Sequence, residues 1–473
     1  MTETRHHDWP RCALHVFGMV FCAVLGISML LFPILKHRPS GLAPVAGGLL
    51  LSAVILHGRV RQRLSQALLA PRRGRFLLAT VTMALLLRVG YCALFQHEPG
   101  SDQKVYHTAA VDLLEGKGYL YLGGRPTAFY PPGNSMLLAA WYAITTSHYL
   151  SGWARNILLS GLLVAMTYVF CLRAFGDLAA RWAAMLMAIH PVAIAASGGL
   201  GYETALTCIL LGVFLLALRV GPKQGQSLLL VAAAGLLLGL GCLIKPICLL
   251  VPLILVATWW IMGNGWRSAG LGMLCAVVMA AVVAPWTTRN YRVFGEFVPV
   301  STNGGNVLYS ANNPDSKGIY MRIEASTEEI APNTGQIDEI RRDRRRRAMA
   351  LTWITDHPID WLALWPYKTS FTWGSMAGLF PPDIFSSTTE MATKGILNAS
   401  WALLLPAVAI GTLRRRAWVN LRFVPMALLI AYVLVLHLFF EAGCRHSLIV
   451  LPGIMAIASA GLAGQPVETP TAP

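Results

Sequence analysis

The chain has 473 residues, of which 55% are apolar and only 13% charged, with a formal net charge of +16 and a mean hydropathy of +0.56. Soluble domains carry about a quarter of their residues as charges, so this composition excludes an ordinary soluble protein and points to a polytopic membrane protein. The basic excess does not indicate nucleic acid, because Lys and Arg in cytoplasmic loops set topology and meet anionic lipid.

A spanning helix needs roughly 20 mostly apolar residues. In chain order such runs lie near 13–35, 41–57, 76–95, 155–173, 181–198, 203–219, 227–243, 247–262, 268–285, 395–412, 423–440 and 446–463. The alternating pattern of a membrane β-barrel is absent, so the expected fold class is all-α, polytopic, with about 12 transmembrane helices. The first run is longer than a signal peptide's apolar core of about 7–15 residues and lacks a clear small-residue cleavage site, so it is read as a span. The nine cysteines fall mostly inside apolar runs without a CxxC pair, which indicates neither a zinc site nor a disulfide framework.

Orientation follows from where Lys and Arg collect. "HGRVRQRLSQALLAPRRGR", between runs two and three, holds six arginines, and "RRRAWVNLR" lies between runs ten and eleven. With twelve spans both loops and both termini share one side, read as the cytoplasm. Residues 96–154 and 286–394 then lie outside. The second segment contains "RRDRRRR", Arg341 to Arg347, which a long loop carries across regardless of charge. The Trp-rich stretch after it predicts a helix at the membrane interface. "NSMLLAAWYAI" is too short to cross and is expected to lie along the membrane or enter halfway. "FGEFVPVSTNGGNVLYSANNP" predicts loops with room for a short strand.

This orientation gathers separate polar groups at one outer level: Asp102, Lys104 and His107 after span three, Glu203 opening span six, Lys245 between spans seven and eight, Arg289 and Arg292 after span nine, and Glu441, Arg445 and His446 between the last two. Ionisable groups near a bilayer are costly unless hydrated, paired or functional. Singly, the cations also read as anchors that snorkel to the headgroups, and His107 and His446 as helix caps. The grouping is more informative than any member. A sugar on a polyprenyl phosphate leaves behind a phosphate, which needs charge stabilisation by Lys or Arg rather than a proton. Attack by a hydroxyl needs a base. One carboxylate and a cationic clamp suit that reaction, whereas glycoside hydrolysis usually takes two carboxylates.

"SDQKVYHTAAVDLLEGKGYLYLGGRPTAFYPPGNSMLLAAWY", "CLIKPICLLVPLIL", "PWTTRNYRVFGEFVPVSTNGGNVLYSANNP" and "CRHSLIVLPGIMA", in this order, resemble blocks of the GT-C glycosyltransferases. The branch is family 39 in the broad sense, with protein O-mannosyltransferases and lipid A aminoarabinose transferases. The resemblance spans roughly residues 76–463. It implies a GT-C fold with juxtamembrane helices and loops on the outer face. It makes residues 1–75 two additional helices with a basic cytoplasmic loop, 76–285 the transmembrane core with its outer loop 96–154, 286–394 an extracytoplasmic segment, and 395–473 the last helices.

The same resemblance implies Asp102 as the catalytic base and Lys245, Arg289 and Arg445 as ligands of the donor phosphate. Glu203, Tyr106, His107, Tyr130 and His446 would support these or place the acceptor. Two departures stand out: Gln103 where many relatives have a second carboxylate, and Tyr130 where the aminoarabinose transferases have Lys. The expected partners are a polyprenyl-phosphate-linked sugar, membrane lipid and an acceptor that is lipid, glycan or protein, at the cytoplasmic (inner) membrane with the site facing outward. No cofactor and no metal ligand are indicated, and a divalent cation is left open. Two other readings are weighed. A flippase or transporter would place its charges at mid-membrane on repeated helices, and a non-catalytic assembly protein on the same scaffold would not depend on Asp102.

Overall fold

The computed structural model describes residues 8–36, 42–122, 124–221, 227–331, 336–379, 387–414 and 417–464. Helices dominate, and the protein is a helical polytopic membrane protein. Among the described residues eight helices are long and apolar enough to cross a bilayer: Trp9–Ile34, Arg73–Leu94, Tyr149–Phe175, Ser227–Ile244, Pro246–Asn264, Arg267–Phe294, Thr388–Leu413 and Cys444–Ala463. Leu42–Leu56 and Gly58–Leu69 meet at 73° and make a ninth if counted as one bent span.

The remaining three of the twelve expected spans are helical but short. Asp177–Ile189 has 13 residues, Glu203–Ala217 has 15 and Val424–Phe439 has 16. At 1.5 Å per residue they reach only about 20–24 Å, less than the hydrocarbon thickness. Their apolar composition predicts spans, and the breaks around them leave each helix shorter than the hydrocarbon layer. "HPVAIAASGGLGY" interrupts the chain after Ile189, with the His190 ring accepting from the Val192 N–H at 3.3 Å and capping the short turn Pro191–Ala195.

The two long hydrophilic segments pack against each other over one end of the bundle. The Thr302 N–H donates to the Ala128 carbonyl at 2.9 Å. The Glu339 carboxylate accepts from the Ala128 N–H at 2.7 Å and the Thr127 hydroxyl at 2.8 Å. Two small antiparallel ribbons, Leu120–Tyr121 with Arg125–Pro126 and Ile330–Ala331 with Gln336–Ile337, belong to this layer. The stretch expected as loops and a short strand instead holds the helix Gly304–Ser310. Gly305 permits this: a Cβ there would lie 2.0 Å from the Asp343 carbonyl oxygen, and its N–H donates to the Asp343 carboxylate at 2.6 Å.

The arginine run lies in the helix Glu339–Asp356, and several of its members are partnered. Buried Arg346 forks onto both Glu329 oxygens at 2.8 Å and also reaches Asn306. Arg347 meets Asp343 at 2.6 Å and Arg344 meets Glu296 at 2.7 Å, while the Arg342 guanidinium lies 4.4 Å above the Phe129 ring. The Trp-rich stretch is two helices, broken at His357 before Pro358. The second, Pro358–Trp373, runs inward. Lys368, Ser370 and Trp373 are fully buried, so its C-terminal half belongs to the bundle rather than to the surface.

Candidate active site

A cavity of about 1440 Å³ opens beneath this layer, and Asp102, Lys245, Glu441, Arg445 and His446 line it together with Tyr106, Tyr130 and Tyr202. Two of the short helices end here. Tyr202 precedes Glu203–Ala217, and Glu441 follows Val424–Phe439.

Asp102 stands in the first turn of the helix Ser101–Leu114, where the helix dipole favours a carboxylate. Ser101 turns the chain with φ +48°, a left-handed conformation that is uncommon for a residue with a Cβ. The Asp102 carboxylate accepts from the Tyr130 hydroxyl at 2.8 Å and from Arg445 at 2.9 Å. Burial pushes this carboxyl upward, but the charge and hydrogen bond of Arg445, the Tyr130 hydroxyl and the Lys245 ammonium outweigh it, and Asp102 lies below the ordinary carboxylate range.

Lys245 sits between the helix Ser227–Ile244 and the tight turn Pro246–Leu250, on extended backbone. Its ammonium donates to the Tyr202 hydroxyl at 2.5 Å and lies 3.2 Å from His446 Nδ1. Burial, helped by the Arg445 charge and opposed by Glu441, Glu203 and Asp102, holds its pKa down at about 8. The Pro-Pro-Gly block brings it to Tyr130. Gly133 packs so closely on the end of the Lys245 helix that a Cβ would lie 2.6 Å from the Ile244 nitrogen.

Arg445 reaches the cavity from the link between the helix Val424–Phe439 and the last helical segment. Besides Asp102 it approaches Glu441 at 3.5 Å, and His446 meets the same Glu441 oxygen at 3.5 Å. Glu441 Oε2 is buried with no hydrogen-bond partner among the described residues. Burial raises the Glu441 pKa, against the pull of Arg445 and Lys245. Lys368 holds this link in place, donating to the Leu438 and Phe439 carbonyls at 3.0 and 3.3 Å and to Asn312 at 2.7 Å.

The site residues expected from the sequence therefore divide. Asp102, Tyr106, Tyr130, Lys245, Arg445 and His446 come together on the cavity; Arg289, Glu203 and His107 do not line it. Arg289 donates to the Thr127 and Tyr119 carbonyls at 2.8 and 3.1 Å and lies over the Trp286 ring. It pins the first hydrophilic segment to the end of the helix Arg267–Phe294, in place of the phosphate contact expected of it. Trp286 and Asn290 pin the 298–300 stretch beside it, donating to the Val300 and Val298 carbonyls. His107 Nδ1 is 3.0 Å from the Tyr142 hydroxyl. Gln103, where a second carboxylate was the expectation of the family, accepts from the Leu200 N–H at 2.7 Å and so presents Tyr202. Tyr202 and the role of Glu441 were missed; the four-residue spacing of Glu441 and Arg445 was the available signal. Among the described residues no group of three or more His, Cys, Asp or Glu side chains is placed to hold a metal ion.

No family model matches the chain. No curated protein matches it either. Several solved structures do. ArnT from Cupriavidus metallidurans, bound to undecaprenyl phosphate, is 18% identical over 83% of this chain and 77% of its own, with a TM-score of 0.43. The Archaeoglobus fulgidus oligosaccharyltransferase, in complex with Zn and sulfate, is 12% identical over 82% of this chain, with a TM-score of 0.47. The archaeal oligosaccharyltransferase AglB, from the same organism and in complex with an inhibitory peptide and a dolichol-phosphate, is 13% identical over 82% of this chain, also with a TM-score of 0.47. The chain spans about half the length of the oligosaccharyltransferases.

Proposed function

We propose that the chain is a membrane glycosyltransferase that moves a sugar from a polyprenyl phosphate to a hydroxyl or similar acceptor. One observation carries the reading: the Asp102 carboxylate lines the same cavity as the cations Lys245 and Arg445. Asp102 takes the acceptor's proton as the hydroxyl oxygen attacks the sugar's anomeric carbon. The bond from that carbon to the phosphate oxygen breaks, and its electron pair leaves on the phosphate. Lys245 and Arg445 stabilise the added charge. Arg289 drops out of this set because backbone carbonyls and Trp286 occupy its guanidinium. The rings of Tyr106, Tyr130 and Tyr202 offer faces and hydroxyls to a sugar.

The placement of charge supports an outward-facing site in the cytoplasmic membrane. At the end of the bundle away from Asp102, Arg181 donates to the Leu68 and Pro71 carbonyls and Arg422 to the Arg173 carbonyl. That end also receives the arginine-rich 57–75 loop, which the positive-inside tendency places in the cytoplasm.

Comparing envelope glycolipids and glycoproteins by mass spectrometry tests the reading in wild-type cells, a deletion strain, and the deletion complemented with Asp102→Asn. A sugar mass lost on deletion and not restored by D102N is the expected result, since loss of a general base costs about 100- to 10,000-fold in rate. Full restoration by D102N would remove Asp102 from the chemistry and bring a transporter or assembly role forward.

A further inference from the structure

The cavity holds more anionic than cationic partners around one guanidinium. Arg445 gives Nη1 to Asp102 at 2.9 Å while Nη2 stands 3.5 Å from Glu441. Lys245 is committed differently, to Tyr202 and His446, and makes no ion pair among the described residues. Yet the Arg445 side chain is 43% exposed and lines the cavity, so its other N–H groups face the space in which a ligand would sit. A guanidinium fork fits a carboxylate and a phosphate equally well, and a phosphate oxyanion in that space is a direct rival for the Asp102 contact.

We propose that Asp102 and the donor phosphate compete for Arg445, so that the donor, in taking Arg445, frees Asp102 to accept a proton. This deepens the glycosyltransferase reading and rests on it. In this structure each Asp102 oxygen accepts from a donor, Tyr130 on one and Arg445 on the other. A carboxylate held in this way is a weak base. Moving Arg445 onto a phosphate removes one donor and one positive charge from it, which raises its basicity at the moment a sugar is in place to be attacked. Glu441, four residues before Arg445, keeps the guanidinium beside the cavity while its partner changes. The site then carries an order of events: a hydroxyl acceptor meets a competent base only in the donor complex.

The test is equilibrium binding of undecaprenyl phosphate to the full-length protein in nanodiscs, using wild type, D102N, R445Q and the double variant. Because binding requires no turnover, it is independent of whether the transfer itself is detected. Competition predicts that D102N binds the probe more tightly, by about tenfold if one partly buried ion pair is released, that R445Q binds less tightly, and that D102N changes nothing in the R445Q background. Unchanged or weaker binding by D102N overturns the proposal. So does equal tightening with and without Arg445, which would be a general effect of removing negative charge. Failure of the wild-type protein to bind the probe overturns the donor reading itself, and this proposal with it. Arg445→Met replaces R445Q if the latter is not recovered folded.

Discussion

Lys245 shows most directly how burial changes the charge of a single residue. An ammonium left in water keeps its charge to pH 10 and beyond, but this one is enclosed beside another cation and titrates near 8. The folded pKa is depressed, so the charged form is present below about 8 and is lost as pH rises through that value. A bound phosphate stabilises the ammonium and pulls the pKa back up, which makes binding itself pH-dependent. The affinity for undecaprenyl phosphate is therefore expected to be flat near pH 7 and to fall by up to about tenfold per unit above pH 8 to 9. Lys245→Met should bind weakly at pH 7 and lose this alkaline limb. Titrations between pH 7 and 9.5 check both; an alkaline limb that persists in Lys245→Met would assign it to another group. Tyr202 and Tyr130 are poor candidates, since burial and the neighbouring carboxylates raise both hydroxyls far above this window.

Among the elements, the Pro-Pro-Gly turn does more than begin the helix Gly133–Ile144. Gly133 lies against the backbone at Leu243 and Ile244, with the three nearest atoms 2.6 to 2.7 Å from where a Cβ would be. Side-chain rearrangement cannot relieve a clash with backbone, so Gly133→Ala must push apart the segments that carry Tyr130 and Lys245. The expected outcome is a lower unfolding temperature and a loss of probe binding that Asn134→Ala, which removes the hydrogen bonds to the Leu200 carbonyl and from Arg155, does not match. Binding at wild-type strength by Gly133→Ala would show that the contact is not needed for the site. The same turn shows what was legible beforehand. Apolar runs and basic loops foretell the long helices, and a lone Asp beyond a span marks the cavity. Arg289 misleads because an arginine that binds carbonyl oxygens and one that binds phosphate have the same sequence signature; only the partners Thr127 and Tyr119, 162 and 170 residues away, distinguish them. The lengths of the short helices were harder to read for a related reason, since composition reports apolarity while the glycines and prolines at their ends set length.

Across the whole molecule, the first two helices pack closely against the C-terminal part of the chain. By resemblance they precede the catalytic core as an addition. In the fold, fully buried Phe21 packs edge-on against Trp373 and Trp418, with ring centroids 5.1 and 5.7 Å away. The contact is close at the backbone as well: a Cβ on Gly374 would lie 2.2 Å from the Ser28 carbonyl oxygen, and one on Gly48 2.1 Å from that of Ala399. The first helix continues to Phe32, which meets Phe371 at 5.3 Å and lines the same cavity as Asp102 and Arg445. For a lipid with an anionic head in this cavity, Phe32 would offer apolar surface to the chain, with Lys245 and Arg445 available to the head. Phe32→Ala should then weaken undecaprenyl phosphate binding by about three- to tenfold, the scale of one partly buried ring, while short-chain prenyl phosphates that do not reach the wall lose less. If both probes keep wild-type affinity in Phe32→Ala, the first helix supports the bundle without shaping the site. A loss confined to the long-chain probe would make the N-terminal helices part of the donor-binding machinery.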